Sequence, residues 1–314
     1  PAGGPLNSIY LSFSANTMTG TITIANSSGN NQTVTRINSA NAGSATAAWV
    51  IGGAQDRGTS LEFGTGTISF GSLSGSGLIV SGSTPTMSVG ALGSSTFSGK
   101  IQNGIALTKI GSGMLTLSGT SSYTGPTAIN AGTLNITGAL SGASAVTVNN
   151  GGTLAGSGSI AGTTTVASGA AIAPGNGGGG VAGTLTISGG LTLGNGAVLN
   201  LDLGGTTTSD KIAVSGAFSA TGTTTINLTA LAGFAGSGMY PLITGASGIS
   251  AGTFTVGATP PGYVGTLGAS SGTLNLTVMT VQENWRLTYF GTTANSGNAA
   301  DNADPDGDGM TNAQ

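Results

Sequence analysis

Short stretches in which apolar and small polar residues alternate recur along the whole chain. Alternation with a period of two is typical of a β-strand that has one buried face and one face in water. Before residue 280 no stretch shows a convincing helical period. The pattern therefore predicts an all-β protein. The alternating stretches include Thr21–Ile24, Met114–Ser118, Thr133–Thr137, Leu199–Leu203, Thr225–Leu228 and Thr273–Val278.

The strand openings repeat. The tripeptide Gly-Thr-Leu starts at residues 132, 152, 183 and 272, with short and unequal spacings. Such weak repeats are typical of a solenoid whose coils differ in loop length. We therefore predict a parallel β-solenoid. An antiparallel β-sandwich array is the alternative, with hairpin turns at Asn103-Gly104, Asn150-Gly151 and Asn195-Gly196.

The composition supports a stacked body that is poor in charge. The chain has 60 glycines and only 5% charged residues, and no charge occurs between Ile110 and Leu201. Identical charges stacked coil on coil would repel, so a solenoid favours such a body. The 38% hydrophobic content and the net charge of −3 argue against disorder. We expect no transmembrane segment, because no run of about 20 apolar residues occurs, and no nucleic-acid partner, because no basic patch occurs.

The charged residues divide the chain into three parts. We predict a cap or joining segment at residues 1–60, a solenoid body at 61–280 and an acidic tail at 281–314. The tail carries five acidic residues against Arg286. Since the chain starts at Pro1 and shows no signal peptide, we expect it to be a processed or trimmed form.

The tail carries the one strong chemical motif. Asp304, Asp306 and Asp308 occupy positions 1, 3 and 5 of an EF-hand-like loop, followed by Met310 at 7, through its carbonyl, and Asn312 at 9. Clustered carboxylates repel one another unless a cation joins them. We therefore predict a calcium site, with Asp301 as a further candidate ligand; a solvated acidic tail is the alternative. Position 12, which usually carries a glutamate, would be residue 315.

The sequence offers little for catalysis. It contains no histidine and no cysteine, which removes the commonest general base and the thiol nucleophile. Asp202 and Asp210 are the only acids between residues 63 and 282, with Lys211 beside them. Asp202 alternates with Leu201 and Leu203, so we expect it to point outward as a surface acid. We predict no catalytic residues and no cofactor other than calcium.

Two segments resemble a known family. Leu107–Gly119 and Tyr123–Leu134 closely resemble the autotransporter-associated β-strand repeat, in which a Leu-Thr-Lys opening leads to Leu-Thr-Leu-Ser-Gly, Tyr-Thr-Gly and Ile-Asn-Ala-Gly-Thr-Leu. The resemblance extends over roughly residues 60–280. It implies a secreted, right-handed parallel β-helix displayed outside a bacterial cell.

These observations favour an extracellular structural protein. We expect a self-associating subunit of a surface fibre or matrix, with a second copy of the chain as its partner. An adhesin or surface-displayed passenger that contacts a cell-surface glycan is the alternative. A polysaccharide-active β-helix enzyme is a third hypothesis, disfavoured because no cluster of acids or bases is evident.

Overall fold

The protein is a parallel β-solenoid, which confirms the predicted fold class. The structure, a computed structural model, describes residues 7–11, 18–25, 33–37, 42–52, 59–142, 144–177 and 180–313. Each coil contributes strands to three faces. Strands of successive coils pair in parallel, as when Leu107 of one coil lies beside Thr127 of the next.

The strands and helices follow one another in this order: β1 Asn7–Leu11, β2 Gly20–Ile24, β3 Thr33–Ile37, β4 Gly43–Ile51, β5 Thr59–Phe63, β6 Thr67–Gly75, β7 Leu78–Ser81, β8 Thr86–Val89, β9 Ser95–Phe97, β10 Lys100–Ile101, β11 Ala106–Lys109, β12 Met114–Leu117, β13 Thr120–Ser121, β14 Thr127–Ile129, β15 Gly132–Ile136, β16 Ala139–Leu140, β17 Val146–Val148, β18 Gly152–Gly156, β19 Ser159–Ile160, β20 Thr164–Val166, β21 Ala171–Ala173, the helical turn α1 Pro174–Gly177, β22 Thr184–Ile187, β23 Leu191–Leu193, β24 Val198–Leu203, β25 Lys211–Val214, β26 Phe218–Ala220, β27 Thr224–Ala230, β28 Gly238–Thr244, β29 Phe254–Val256, β30 Tyr263–Ser270, β31 Thr273–Thr280 and α2 Val281–Phe290. Two short 3-10 turns lie at Ala251–Thr253 and Gly297–Ala299.

Three ladders define the faces. The first face runs through β4, β6, β8, β11, β14, β17, β20, β23 and β26. The second runs through β2, β4, β6, β9, β12, β15, β18, β21, β24, β27 and β29. The third runs through β1, β3, β5, β7 and β10, and then through β13, β16, β19, β22, β25 and β28. The Asn-Gly pairs that a sandwich would use as hairpins instead join strands of different faces.

The described strands before residue 60 belong to these same ladders. β1 pairs in parallel with β3 and β3 with β5, while β2 pairs in parallel with β4. The third-face and second-face ladders therefore reach back into the segment predicted as a cap or joining piece at residues 1–60.

The core consists of the inward side chains of every coil. One second-face row shows the pattern, because each member lies directly above the previous one and all are buried: Leu115, Leu134, Leu154, Ile172, Leu199 and Ile226. Full burial of one such side chain contributes about 1.5–3 kcal/mol. The alternation seen in the sequence is therefore the alternation between this core and the outer surface.

Corner glycines allow neighbouring coils to approach closely. Gly156 has φ of 122° and a Cβ there would lie 1.9 Å from the Ile136 carbonyl oxygen of the coil below. Only glycine fits such a corner, because it combines a left-handed backbone with contact to another backbone. This requirement explains part of the glycine content.

Coil length varies along the solenoid. The register steps by 20 residues from Leu107 to Thr127 and by 18 from Val146 to Thr164, then by 27 from Thr164 to Leu191. The longer coil contains residues 174–183, inserted between β21 and β22. At the far end the ladder reverses, since β28 pairs antiparallel with β31 and β31 antiparallel with β30.

Candidate functional sites: the acidic loop and the buried charges

The tail begins with a well-capped helix. α2 starts directly after β31, where the Thr280 side chain accepts a hydrogen bond from the Glu283 amide and the Glu283 carboxylate accepts one from the Thr280 amide. This reciprocal arrangement satisfies helix amides that would otherwise lack partners. The hydrogen bond from Ser237 is the largest cause that lowers the pKa of Glu283. Gly291, with φ of 71°, ends the helix.

An ion pair connects α2 to the following loop. Arg286 is only 5% exposed and its Nη2 lies 2.5 Å from Asp301 Oδ1. Gln282 donates to the same oxygen, and Asn295 donates to Asp301 Oδ2 at 2.9 Å. Both oxygens of Asp301 therefore accept hydrogen bonds that connect the helix to the loop.

The three aspartates of the predicted calcium loop do come together. One carboxylate oxygen from each of Asp304, Asp306 and Asp308 lies within 4.8 Å of the others, and all three side chains are exposed. The Asp304 carboxylate also accepts hydrogen bonds from the amides of Gly307 and Gly309, each at 3.0 Å. Hard oxygen donors of this kind are the ligands that calcium prefers.

The remaining predicted ligands have other contacts. Asn312 donates its side-chain amide to the carbonyls of Asn298 and Ala300, both at 2.8 Å. Its side-chain oxygen is therefore the group left to face a cation. Met310 donates its amide to Asp308. Among the described residues, Asp301 is not grouped with the three clustered aspartates.

The expectation that Asp202 is a surface acid is wrong. Asp202 is 5% exposed and Asp210 is 1% exposed. Strict alternation ends at this position, because Leu201, Asp202 and Leu203 are all buried. The inserted residues cover the outer surface here: the Asp210 carboxylate accepts the Gly183 amide at 2.7 Å, and Asp202 accepts a hydrogen bond from the Gly180 backbone.

A further buried charge, that of Lys109, was not singled out by the sequence. Its side chain is fully buried in the inward row of the first face. Its amine donates to three corner carbonyls, those of Ile110 at 2.6 Å, Gly111 at 2.9 Å and Ala131 at 3.2 Å. Burial lowers the pKa of Lys109. Lys109 occupies an inward position of its strand, where the neighbouring inward residues are apolar. That position was the signal that the sequence offered for its burial.

The fold and these sites define a class of protein: a β-solenoid with a charge-poor body and an acidic tail. Comparison with known proteins narrows that class. Residues 107–136 match the passenger-associated-transport-repeat. This is the segment in which the sequence resembles the autotransporter-associated repeat, and the resemblance is confirmed.

One curated relative supports the same assignment. The adhesin BmaC autotransporter of Brucella suis biovar 1 is 46% identical over 76 residues, which is 24% of this chain. The matched part is 2% of the relative's own length. The repeat and the relative together indicate a secreted, surface-exposed protein. Among the described residues, no helix is long and apolar enough to cross a membrane.

Proposed function

We propose that the chain is a non-catalytic, surface-displayed passenger whose solenoid serves adhesion. The observation that carries this proposal is the outer surface of the solenoid, where uncharged amide side chains are stacked in register. Asn149 Nδ2 donates to Asn130 Oδ1 at 2.7 Å, and Asn227 Nδ2 donates to Asn200 Oδ1 at 3.0 Å. The adhesin relative adds support.

Stacked amides and hydroxyls suit an uncharged glycan. They offer donors and acceptors at the regular spacing of the strands, about 4.8 Å, and a sugar chain carries hydroxyls along its length. Many weak contacts on one rigid rod raise the overall affinity by multivalency. We therefore propose a cell-surface glycan as the partner of the solenoid surface.

A catalytic role has little support. The sequence has no histidine or cysteine. The paired carboxylates Asp202 and Asp210 are buried and hold backbone amides, so neither faces a groove in which a substrate could lie. Two acids that flank a sugar bond would need such access.

The adhesion proposal can be tested on a glycan array with the purified chain. We expect binding to a restricted set of neutral glycans, weakened at least several-fold when Asn130 and Asn149 are both changed to Ala. Thr293→Ala is the matched control, because it removes an exposed hydroxyl from the tail, outside the stacked rows of the solenoid surface. Absence of binding to any glycan or to host cells would contradict the proposal.

A self-associating fibre subunit is the second candidate, and one observation favours it. Within the described residues β30 pairs on one side only, with β31, and it carries neither a charge nor a proline. Native edge strands usually carry such protection against pairing with another chain. Negative-stain electron microscopy should then show end-to-end filaments, and isolated short rods at all concentrations would contradict self-association.

We also propose that the tail loop binds calcium through Asp304, Asp306 and Asp308, with the Met310 carbonyl and Asn312 as further ligands. The loop spacing and the convergence of the three carboxylates support it. Titration calorimetry should show calcium binding that Asp306→Asn weakens at least tenfold. Glu62→Gln, which removes an acid of the distant Arg36–Glu62 pair, should leave it unchanged. Equal calcium binding by both variants would contradict this site.

A further inference from the structure

The insertion in the long coil is attached through two buried carboxylates. Asp210 Oδ1 accepts the amide of Gly183 at 2.7 Å, and Asp210 Oδ2 accepts the amide of Asp202 at 2.9 Å. The Asp202 carboxylate accepts a hydrogen bond from the Gly180 backbone. The segment at residues 180–183 is therefore fixed to Asp202 of β24 and to Asp210, which directly precedes β25, by acceptors that are also titratable groups.

The packing around this attachment is tight. A Cβ at Gly175 would lie 3.0 Å from Asp210 Oδ1 and 2.1 Å from the Val181 carbonyl oxygen. Glycines thus allow the inserted chain to pass directly over the carboxylate and exclude water from it. If residues 180–183 moved away, Asp210 would meet solvent.

The two acids have no cationic partner among the described residues. The described ion pairs are Arg36–Glu62 and Arg286–Asp301, both remote in sequence from Asp210. Lys211 is the basic residue nearest in the chain, and its amine is turned toward the Thr207 carbonyl at 3.4 Å. The charges that face each other are therefore the two carboxylates themselves.

We propose that Asp202 and Asp210 form a pH-sensitive clasp, which holds residues 180–183 more firmly in acid than in neutral solution. Two like charges buried together without a cation disfavour the closed arrangement when both are ionised. A proton on one of them removes that repulsion and the cost of burying its charge. When both carboxylates are ionised, water can solvate them and weaken their repulsion only if residues 180–183 detach.

The direction of the pH effect follows from linkage. Burial, with a smaller contribution from the charge of Asp202, raises the pKa of Asp210 from 3.8 to about 6. Because the closed state binds the proton more tightly, attachment is strongest below the lower pKa and weakens as the pH rises through the higher one. Between pH 5 and pH 7.5 the ratio of closed to detached forms should fall about 10-fold.

Amide hydrogen exchange of the Gly183 amide, measured by NMR, tests the clasp directly, because this hydrogen is bonded to Asp210. After correction for the intrinsic rate at each pH, its protection should be about 10-fold higher at pH 5 than at pH 7.5. The Gly194 amide, bonded to the Val166 carbonyl at 2.8 Å, is the internal control and should not change.

Asp210→Asn supplies the variant without a titratable charge at this position; it keeps one of the two oxygens that accept backbone amides, so the pH response of Gly183 protection is compared and not its size. Its Gly183 protection should be the same at both pH values. The proposal is overturned if Gly183 protection in the wild type is equal or greater at pH 7.5. It is also overturned if Asp210→Asn retains the pH response. The wild-type comparison decides the matter even if the variant does not fold.

Discussion

Replacement of Lys109 by Met tests whether a buried charge can be essential to a solenoid corner. The Lys109 amine is enclosed by the carbonyl oxygens of Ile110, Gly111 and Ala131 at 2.6–3.2 Å. Gly90 leaves the space, since a Cβ there would lie 3.1 Å from Nζ. Met has similar length but cannot donate, so the three carbonyls would lose this donor.

The expected loss follows from two opposing effects. A buried carbonyl without a partner costs about 1–3 kcal/mol, so three such groups would cost about 3–9 kcal/mol. Against this, the variant no longer buries an ammonium group, whose desolvation costs several kcal/mol. We expect a net destabilisation of about 3 kcal/mol, because breaking a buried charged network by removal of one member is usually unfavourable.

Urea unfolding followed by far-ultraviolet circular dichroism measures this loss. Ile129→Met is the matched control, because Ile129 lies directly beside Lys109 in the next coil and in the same inward row. That apolar exchange should cost less than about 1.5 kcal/mol. If Lys109→Met is as stable as the control, the carbonyl contacts do not stabilise the corner and the reasoning is refuted.

Two further predictions concern a corner and the tail. Gly156→Ala should destabilise the solenoid by more than about 2 kcal/mol, because φ is 122° and the new Cβ would strike a carbonyl of the coil below; Gly151→Ala, with φ of 82° and open space, should cost only about 1 kcal/mol. Equal losses in urea unfolding would contradict the steric argument. Arg286→Ala should break the contact to Asp301 and make the tail a site of limited proteolysis without changing the circular dichroism of the solenoid; an unchanged digestion pattern would count against that contact.

The fold could be predicted because it depends on a local and repeated signal. Every coil alternates core and surface residues. The strand structure of stretches such as Thr133–Thr137 and Thr225–Leu228 can therefore be predicted from their own residues, without information on the neighbouring coils. The three clustered aspartates of the tail were equally predictable, since their spacing within one loop brings them together. These features involve residues that are close in sequence.

The errors concern residues whose surroundings come from another coil or from an insertion. Asp202 follows the alternation rule of a surface residue, yet it is buried because residues 174–177 and 180–183 lie over that surface. Alternation along a strand predicts from which face of the sheet a side chain projects, but it does not predict whether another segment covers that face. The role of Lys109 was equally hidden, because one of its three carbonyl partners, Ala131, lies 22 residues away.

The buried charges of the body have a common physical role. Lys109 donates to carbonyls at a corner, and Asp202 and Asp210 accept amides where a coil lengthens. In both places the backbone departs from the regular ladder, so polar backbone groups need partners other than the next strand. A charged side chain forms stronger hydrogen bonds than a neutral one and can serve two or three such groups at once. Charges are rare in this solenoid because its regular coils already satisfy their own backbone, and they are buried where that regularity ends.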